Sequence, residues 1–413
     1  MIVIEVEDVR LTLDHCVKCN ICNTACPVAN VTPLFPGPKY VGPQAERFRM
    51  DEISADASLD YCSGCGMCTQ VCPQGVKIAE INTRARARMV GGKLSLRNRL
   101  IARPATLGRL TQPIAPLANL VLRLKPARGL MEIALGIHRD APLPKFSRRT
   151  FQGWARRHVP PTQAKRAVVY FHGCSTNYYE PQVGQAAVAV LERNGCRVII
   201  PPQGCCGLPL QSNGDFESAR RYARDLVSRL LPYVEQGCDI VATSTSCGLM
   251  LKREYREILD LDLPEFRRVS ERTYDICEYL RDLLNQGELD TGVEPLNITV
   301  TYHAPCQQKA HGMGRPALNL LALIPGLRVI ETDADCCGTA GTYGYKREKY
   351  QIAMDVGAKL FRDIRAAAPE LSVCDSETCR WQIVHGTRLP SIHPVQLLAR
   401  VYAHSTVSRG GPL

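Results

Sequence analysis

The chain has 413 residues, enough for about two or three domains, and its 45% hydrophobic content is that of an ordinary globular protein. Its net charge of +11 is unevenly spread, because residues 81–160 hold 17 Lys or Arg and only two acids, Glu132 and Asp140. No apolar stretch approaches the ~18–20 residues that a bilayer-spanning helix needs, so we expect no membrane-spanning segment.

Twenty cysteines are the outstanding feature of the composition, and they occur in tight clusters that include adjacent pairs. Residues 1–10 have neither the basic start nor the apolar core of a signal peptide. This pattern predicts metal binding in a reducing cytoplasm rather than a disulfide framework.

Residues 1–90 contain two cysteine runs with the same spacing, C-x2-C-x2-C-x3-C-P, at residues 16–27 and 62–73. The spacing is typical of bacterial ferredoxins, in which the fourth cysteine of each run ligates the other [4Fe-4S] cluster. We therefore predict two clusters, the first held by Cys16, Cys19, Cys22 and Cys72, and the second by Cys62, Cys65, Cys68 and Cys26. A pair of zinc sites would leave the third cysteine of each run unexplained. The long segment 27–61 favours a helical form of this module.

Residues 91–160 form a basic linker without cysteine. Two stripes have the i, i+3, i+4, i+7 spacing of an amphipathic helix: Leu117, Leu120, Val121 and Leu124, then Leu130, Ile133, Ala134 and Ile137. Cationic amphipathic helices are typical of segments that lie in a membrane interface, where Phe151 and Trp154 would suit the headgroup level. The alternatives are helices packed on the other domains with solvated cations, or a contact with an acidic partner protein.

Nucleic-acid binding is a weaker explanation of the same charge. The cations are interleaved with aliphatic rather than aromatic side chains, and no known reader motif is present. We therefore expect no nucleic-acid partner.

Residues 165–290 and 297–404 are two copies of one pattern, which indicates internal duplication. Each copy has three predicted strands, at 167–171, 197–200 and 239–242 in the first and at 298–302, 328–331 and 371–373 in the second. Strands that alternate with helices favour α/β domains with a mainly parallel sheet. The predicted fold is therefore α+β and multi-domain: a helical dicluster ferredoxin module, a basic helical linker and two duplicated α/β domains.

Each copy carries four cysteines at matching places, which we predict to be metal ligands: Cys174, Cys205, Cys206 and Cys247, and Cys306, Cys336, Cys337 and Cys379. Four thiolates suffice for a further iron–sulfur centre or a zinc site in each domain. We interpret Cys196, Cys238 and Cys277 as core residues. His172 and His303 are interpreted first as helix caps or hydrogen-bonding neighbours of the centres, and second as ligands or proton carriers.

The repeated pattern resembles the Cys-Cys-Gly domain family of heterodisulfide reductase and of iron–sulfur subunits of several dehydrogenases. In that family a terminal Cys-x-x-Cys can serve an unusual cluster with five cysteine ligands. Here Ser244 and Ser376 stand at the first cysteine position, which puts disulfide-reducing chemistry in doubt. Whether Cys374 substitutes is left open.

No convincing flavin or nicotinamide site is present, since Gly312-Met-Gly314 follows no strand directly. A chain of one-electron centres without a hydride-handling cofactor must receive electrons from another protein. We therefore interpret the chain as a subunit that takes electrons from one protein and passes them to a further acceptor.

The whole chain resembles the iron–sulfur C subunits of anaerobic glycerol-3-phosphate dehydrogenases. The segments that carry the resemblance are CVKCNICNTACPVANVTPLFPGPKYVGPQAERFR (16–49), FHGCSTNYYEPQ (171–182), CCGTAGTYGYKRE (336–348) and SETCRWQI (376–383). The resemblance implies a non-catalytic subunit that anchors flavoprotein catalytic subunits, as a peripheral protein, to the cytoplasmic side of the bacterial membrane and carries electrons to menaquinone. The alternatives are the iron–sulfur subunit of glycolate or lactate oxidation, or a heterodisulfide-reductase-like enzyme subunit.

Overall fold

The computed structural model describes residue 9 and residues 11–49 and 56–407, without the side chains of residue 11 and of 403–407. The expectation about residues 1–10 therefore lies, residue 9 apart, outside the described residues. In the part of the chain that is described, no helix is long and apolar enough to cross a bilayer.

The N-terminal module is built of short helical segments around the two cysteine runs, followed by one longer helix. The segments are a 3₁₀ turn at Leu11–His15, α1 (Ile21–Thr24), a π turn at Tyr40–Gln44, α2 (Ala45–Arg49), a 3₁₀ turn at Ala57–Tyr61, α3 (Met67–Gln70) and α4 (Ile78–Val90). Gly91 ends α4 in the left-handed conformation at φ 54°, the usual way in which a helix stops.

The linker is a series of helices that start mostly at prolines, where the missing N–H costs nothing. They are α5 (Leu96–Ile101), α6 (Pro104–Thr111), a 3₁₀ turn at Gln112–Ile114, α7 (Ala115–Val121), α8 (Lys125–Leu135) and α9 (Phe151–Ala155). The predicted stripe on α7 is exposed along its whole length, and on α8 Leu130 and Ile133 are 67% and 77% exposed. Ile137, the last member of the second stripe, is buried instead.

The headgroup-level placement of Phe151 and Trp154 is wrong. Phe151 is fully buried, with its ring centroid 5.5 Å from that of Tyr170 and 5.3 Å from that of His172. Trp154 packs beside it against the same core. Helix α9 therefore belongs structurally to the first repeat, because its aromatic side chains gain more from burial there than at a surface.

The first repeat alternates strands and helices. Its elements are β1 (Arg166–Phe171), α10 (Gly173–Tyr178), α11 (Pro181–Arg193), β2 (Cys196–Ile199), α12 (Leu208–Ser212), α13 (Phe216–Glu235), β3 (Asp239–Ala242), α14 (Thr245–Leu249), a π turn at Met250–Glu254, α15 (Tyr255–Glu257), α16 (Pro264–Glu271), β4 (Thr273–Asp275) and α17 (Ile276–Asn285).

The second repeat follows the same plan. Its elements are β5 (Thr299–His303), α18 (Cys306–His311), α19 (Pro316–Leu321), β6 (Arg328–Glu331), a 3₁₀ turn at Tyr343–Tyr345, α20 (Tyr350–Ala367), β7 (Leu371–Cys374), α21 (Glu377–Thr387), β8 (Ser391–Ile392) and α22 (Pro394–Val407).

The two sheets have the same topology, β2-β1-β3-β4 and β6-β5-β7-β8, and every pairing is parallel. This confirms the predicted duplicated α/β architecture. The six predicted strands are present, whereas the fourth strand of each sheet was missed, since three and two residues are too short to give a period-two signal.

The two repeats share one hydrophobic core. A single cluster of buried side chains includes Val168 and Val241 of the first sheet with Val300 and Val373 of the second. Helix α11 packs on α22, and α17 packs on α19. The shared core fixes the carboxyl ends of the central strands, and the cysteines that follow them, relative to each other.

Candidate metal centres

The two cysteine runs of the N-terminal module follow the same backbone path. Each turns at a residue in the left-handed conformation just before a short helix: Asn20 at φ 74° before α1 and Gly66 at φ 80° before α3. Glycine adopts this conformation freely and asparagine tolerates it. The turn brings the thiols of one run around a common space.

The fourth cysteine of each run lies close to thiols of the other run. Burial raises the pKa of Cys22, and the neighbouring thiols Cys16, Cys72 and Cys19 raise it further, so these four lie together. Burial likewise raises the pKa of Cys26 to about 11, with a contribution from Cys62 across the module. The pKa of Cys68 is raised by burial and by Cys65, Cys62 and Cys26.

The two thiol sets differ in depth. In the first set Cys19 is exposed, Cys16 and Cys72 are half-buried and Cys22 is buried, whereas in the second set Cys65 is half-buried and the other three are buried. The first set is therefore at the protein surface, and the second lies between the module and the second repeat.

In the first repeat, the four predicted cysteines form one buried group. The Sγ atoms of Cys174 and Cys205 are 3.9 Å apart, and Cys206 interacts with both Cys205 and Cys247. Hydrogen bonds from the thiols of Cys174 and Cys206 hold the pKa of Cys205 well below its usual value. The backbone N–H of Gly207 donates to the same sulfur at 3.5 Å.

The second repeat reproduces this arrangement. Hydrogen bonds from Cys306 and Cys337 lower the pKa of Cys336, whose sulfur also accepts the Gly338 N–H at 3.3 Å. Cys379 lies against Cys337. The left-handed glycines that follow both Cys-Cys pairs, at φ 88° and 87°, allow this approach of N–H to sulfur.

Cys374 is a fifth buried thiol of the second repeat and interacts with Cys379. It occupies the last position of β7, where β3 of the first repeat has Ala242. The structure thus places a candidate for the missing family cysteine next to the predicted ligands, although two residues away from the position of Ser376.

The two serines at the substituted positions begin helices. Ser244 Oγ accepts the Cys247 N–H at 3.3 Å as the N-cap of α14, and Ser376 is the N-cap residue of α21. Ser244 and Ser175 also donate to Glu377 Oε1 of the second repeat, at 3.1 and 2.9 Å. Ser244 therefore stabilises the start of α14, and Ser244 and Ser175 together connect the first repeat to the second.

The two predicted histidines are buried, and His172 is the N-cap residue of α10, although its side chain makes no capping hydrogen bond. His172 Nδ1 lies 2.7 Å from the Gly173 carbonyl, and His303 Nδ1 lies 3.4 Å from Thr332 Oγ1. Burial lowers the pKa of each to about 4, so both are neutral at physiological pH. The Nε2 atoms of both rings are buried without a hydrogen-bond partner within the described residues.

The second thiol set of the module lies next to the thiols of the second repeat. Burial raises the pKa of Cys65, and the next largest effect comes from the Cys336 thiol. Gln70 Nε2 donates to the Cys306 carbonyl at 3.5 Å, and helix α3 packs on α18. Tyr343 Oη donates to the Tyr61 carbonyl at 3.0 Å on the other side of the same interface.

A cavity of about 380 Å³ connects these thiol sets. It is lined by Cys65 of the module and by seven cysteines of the repeats: Cys174, Cys206, Cys247, Cys306, Cys336, Cys337 and Cys379. The linker closes the remaining wall. One cavity therefore brings together cysteines separated by as many as 314 positions in the sequence.

The four donors of each predicted set are thiols, which suit an iron–sulfur cluster and also a structural zinc site. Tetrahedral zinc with bonds of ~2.3 Å requires its four sulfurs to be within about 4 Å of each other. Within the described residues, no predicted thiol set has three sulfur atoms that all lie within 4.8 Å of one another. A [4Fe-4S] cube supplies a larger frame with one iron for each thiolate, and its chemistry is reversible one-electron transfer.

The one compact group found among the described residues was not predicted. It consists of Asp275, Cys277 and Asp375, all buried between the two repeats. Cys277 lies in the hydrophobic core, as do Cys196 and Cys238, but unlike them it is also close to two carboxyl groups. Asp375 accepts a 2.8 Å hydrogen bond from Tyr302 Oη, the counterpart of the 2.8 Å contact between Tyr170 Oη and Thr243 Oγ1 in the first repeat.

Burial raises the pKa of Asp275 and of Asp375, and the Asp375 charge raises that of Asp275 further. One oxygen of each carboxyl has no hydrogen-bond partner within the described residues. Burial and the repulsion between the two carboxylates therefore favour a protonated form of the pair. The sequence did contain a signal for this pair: Asp375 of the second repeat stands at the position where the first repeat has Thr243.

Comparisons with known proteins agree with this architecture. A family model described as a 4Fe-4S dicluster domain matches residues 12–76, and one described as a cysteine-rich domain matches residues 168–252 and 300–384. The chain is thus an iron–sulfur protein that joins a dicluster domain to two cysteine-rich domains.

Similarity to individual proteins narrows this class. The chain is 41% identical over 396 residues to the C subunit of anaerobic glycerol-3-phosphate dehydrogenase from Escherichia coli (strain K12), covering 95% of this chain and 99% of that protein. It belongs to the family of these C subunits.

More distant relatives share only part of the chain. The B subunit of fumarate reductase (CoM/CoB) from Methanothermobacter marburgensis is 33% identical over 200 residues, which are 48% of this chain and 37% of that protein. Lactate utilization protein A of Bacillus cytotoxicus is 30% identical over 208 residues, or 46% of this chain and 83% of that protein.

Proposed function

We propose that this chain is the electron-transfer and membrane-anchoring subunit of an anaerobic glycerol-3-phosphate dehydrogenase. In this function it receives electrons from flavoprotein catalytic subunits and carries them to menaquinone, as a peripheral protein on the cytoplasmic side of the membrane. The family membership supports the partner and the substrate of the complex. The chain itself takes no part in the oxidation of the substrate.

The observation that carries the proposal is that the thiol sets lie next to one another, from the protein surface to the interior. The first set opens to the surface at Cys19, the second lies behind it in the same module, and Cys65 of the second lies beside Cys336 of the second repeat. The cavity then joins the two repeats. Two [4Fe-4S] clusters in the module and a further centre in each repeat would form one chain of one-electron sites from the surface to the interior.

The ligands we propose are the predicted ones. Cys16, Cys19, Cys22 and Cys72 hold the first cluster, and Cys62, Cys65, Cys68 and Cys26 hold the second. The repeats use Cys174, Cys205, Cys206 and Cys247, and Cys306, Cys336, Cys337 and Cys379. The surface position of the first cluster suits a docking flavoprotein, because electron transfer between proteins requires close approach of the two centres.

The exposed linker helices support membrane contact. On α7, Leu117 and Leu120 are 59% and 55% exposed, an apolar face that water does not favour. Arg109, Arg123 and Lys125 are exposed on the same series of helices. Each cation near an anionic lipid surface contributes about 1 kcal/mol to binding, so the segment as a whole can hold the protein at a membrane.

The direct test is the native complex purified without oxygen. Iron and acid-labile sulfide analysis should give at least about eight irons with matching sulfide for the module alone. Glycerol 3-phosphate, but not lactate or glycolate, should reduce the clusters, as followed by electron paramagnetic resonance. Reduction by lactate or glycolate instead would favour the alternative complexes, and a colourless protein free of sulfide would exclude an electron-transfer function.

A further inference from the structure

The linker wall of the cavity is entirely apolar. Its linker-derived lining consists of aliphatic, proline, methionine and phenylalanine side chains, among them Leu107 of α6, Leu122, and Met131 and Leu135 of α8. None of the linker residues in the lining carries a charge or a thiol. This part of the cavity therefore suits an apolar or aromatic ligand rather than a phosphate or a carboxylate.

The same linker helices present apolar side chains to the outside. On α6, Leu107 lines the cavity while Leu110 is 69% exposed, and on α8, Met131 and Leu135 line the cavity while Ile133 is 77% exposed. Helices α6 and α8 thus each have apolar side chains both towards the cavity and towards the outside. A ligand dissolved in lipid could pass from the outer face to the inner one without entering water.

Polar groups from other elements complete the lining. Glu254, at the end of the π turn Met250–Glu254, lines the cavity and accepts a 2.9 Å hydrogen bond from Gln211 Nε2. The charged groups that act on Glu254 are Glu80 of α4, Arg253 and Glu257. Arg86 of α4 also lines the cavity.

Glu254 is suited to exchange protons at physiological pH. Burial raises its pKa to about 7, and the charges of Glu80 and Glu257 raise it while Gln211 and Arg253 oppose the shift. A carboxyl whose pKa is near ambient pH is efficient as both donor and acceptor. It is seven positions from Cys247 in the sequence and shares the cavity with the thiols of both repeats.

We propose that this cavity is the binding site for a lipid-soluble quinone, which enters through the α6–α8 layer, and that Glu254 supplies the protons for its reduction. The site rests on the proposed electron-transfer function. In the reaction the quinone gains two electrons from the reduced centres of the chain and two protons. Both ring carbonyl oxygens become hydroxyl groups, and Glu254 is reprotonated from solvent after each transfer.

The binding test uses the full chain loaded with its clusters and needs no turnover. The probe is 2-heptyl-4-hydroxyquinoline N-oxide, an apolar quinone analogue, in equilibrium dialysis with detergent-solubilised protein. Leu107→Trp fills the cavity from α6 and should weaken binding about tenfold or more. Leu110→Trp, on the outer face of the same helix, is the matched control and should bind as the unchanged protein does.

The proton test compares two acceptors. Glu254→Gln should lower the ratio of the reduction rates of menadione and ferricenium by about 10²-fold, since ferricenium takes an electron without a proton. In the unchanged protein this ratio should fall as the pH rises through about 7, where Glu254 loses its proton. Glu254→Gln should remove that dependence.

Two results would overturn the inference: equal binding of the probe by Leu107→Trp and Leu110→Trp, or an unchanged acceptor ratio in Glu254→Gln. Either result leaves the electron-transfer function standing if the clusters still accept electrons from the flavoprotein. Failure of the proposed function is recognised separately, by clusters that glycerol 3-phosphate does not reduce in the native complex.

Discussion

Lys349 of the second repeat donates a 2.6 Å hydrogen bond to the main-chain carbonyl of Asp60, two residues before Cys62 of the N-terminal module. The ammonium is 1% exposed, also contacts the Asp60 carboxylate, and lies 5.1 Å from the ring centroid of Tyr343. Burial lowers its pKa to about 8, and Asp60 opposes that shift. This contact fixes the loop that leads to Cys62 against the second repeat.

Replacing Lys349 by Met should therefore loosen the module from the repeat. The loss of a buried, charge-assisted hydrogen bond is expected to cost about 1.5–3 kcal/mol, and the magnetic interaction between the neighbouring centres should weaken. The measurements are the apparent unfolding midpoint and the electron paramagnetic resonance line shape. Lys359→Met is the control, because Lys359 is 47% exposed and its ion pairs are at the surface.

The exchange of the fourth cysteines predicts an effect at a distance along the chain. Cys72→Ser should remove or alter the signal of the first cluster, although the other ligands of that cluster are at least 50 residues upstream. The signal of the second cluster should not change. Cys26→Ser should do the reverse. Cys238→Ala, a core change away from the thiol sets, should keep all the iron. If each substitution affected the cluster of its own run, the exchange would be refuted.

Cys374 provides a test of what distinguishes the two repeats. Cys374→Ala introduces the residue that the first repeat has at the matching position, Ala242, and the smaller side chain should fit without strain. If the Cys374 thiol contributes to the second centre, its spectrum should change towards that of the first, with no loss at the first. An unchanged spectrum would mean that Cys374 is only a neighbour of Cys379.

The buried carboxyl pair predicts a pH dependence of stability. Because the pKa of Asp275 is raised in the folded protein, its contribution favours folding at low pH and is lost progressively as the pH rises above the unfolded value of about 4. Asp275→Asn keeps an N-cap acceptor for the Cys277 N–H but has no proton to lose. The apparent unfolding midpoint should therefore fall less between pH 6 and pH 8 in Asp275→Asn than in the unchanged protein. An equal fall in both would contradict the raised pKa of Asp275.

Membrane contact predicts loss of binding when the α7 stripe becomes charged. Leu117→Glu combined with Leu120→Glu should abolish co-sedimentation with anionic phospholipid vesicles, since two charges replace apolar side chains in the interface. Val159→Glu, at a position that is 82% exposed but outside the linker helices, should bind normally. Binding of the unchanged protein should weaken as salt is raised. Salt-insensitive binding by the double variant would place the contact elsewhere.

Several features of this protein followed from local sequence alone. The repeated C-x2-C-x2-C-x3-C-P spacing identified the iron–sulfur module, and it predicts an exchange of Cys26 and Cys72 between two clusters, because a short loop can present only three thiolates to one cube. Alternation of strands and helices predicted the duplicated parallel sheets. The stripe on α7 could be recognised because a helix with an apolar face has a period of 3.6 residues.

Other features depended on contacts between residues far apart in the chain, which no local pattern encodes. Phe151 was misplaced because an aromatic residue among arginines looks the same in sequence whether it faces lipid or fills the core beside Tyr170. The strands β4 and β8 were too short to give a pattern. Three features exist only after the module, the linker and both repeats have packed together, since burial and proximity are properties of the assembled core. They are the approach of Cys65 to Cys336, the buried carboxyl pair of Asp275 and Asp375, and the cavity with Glu254.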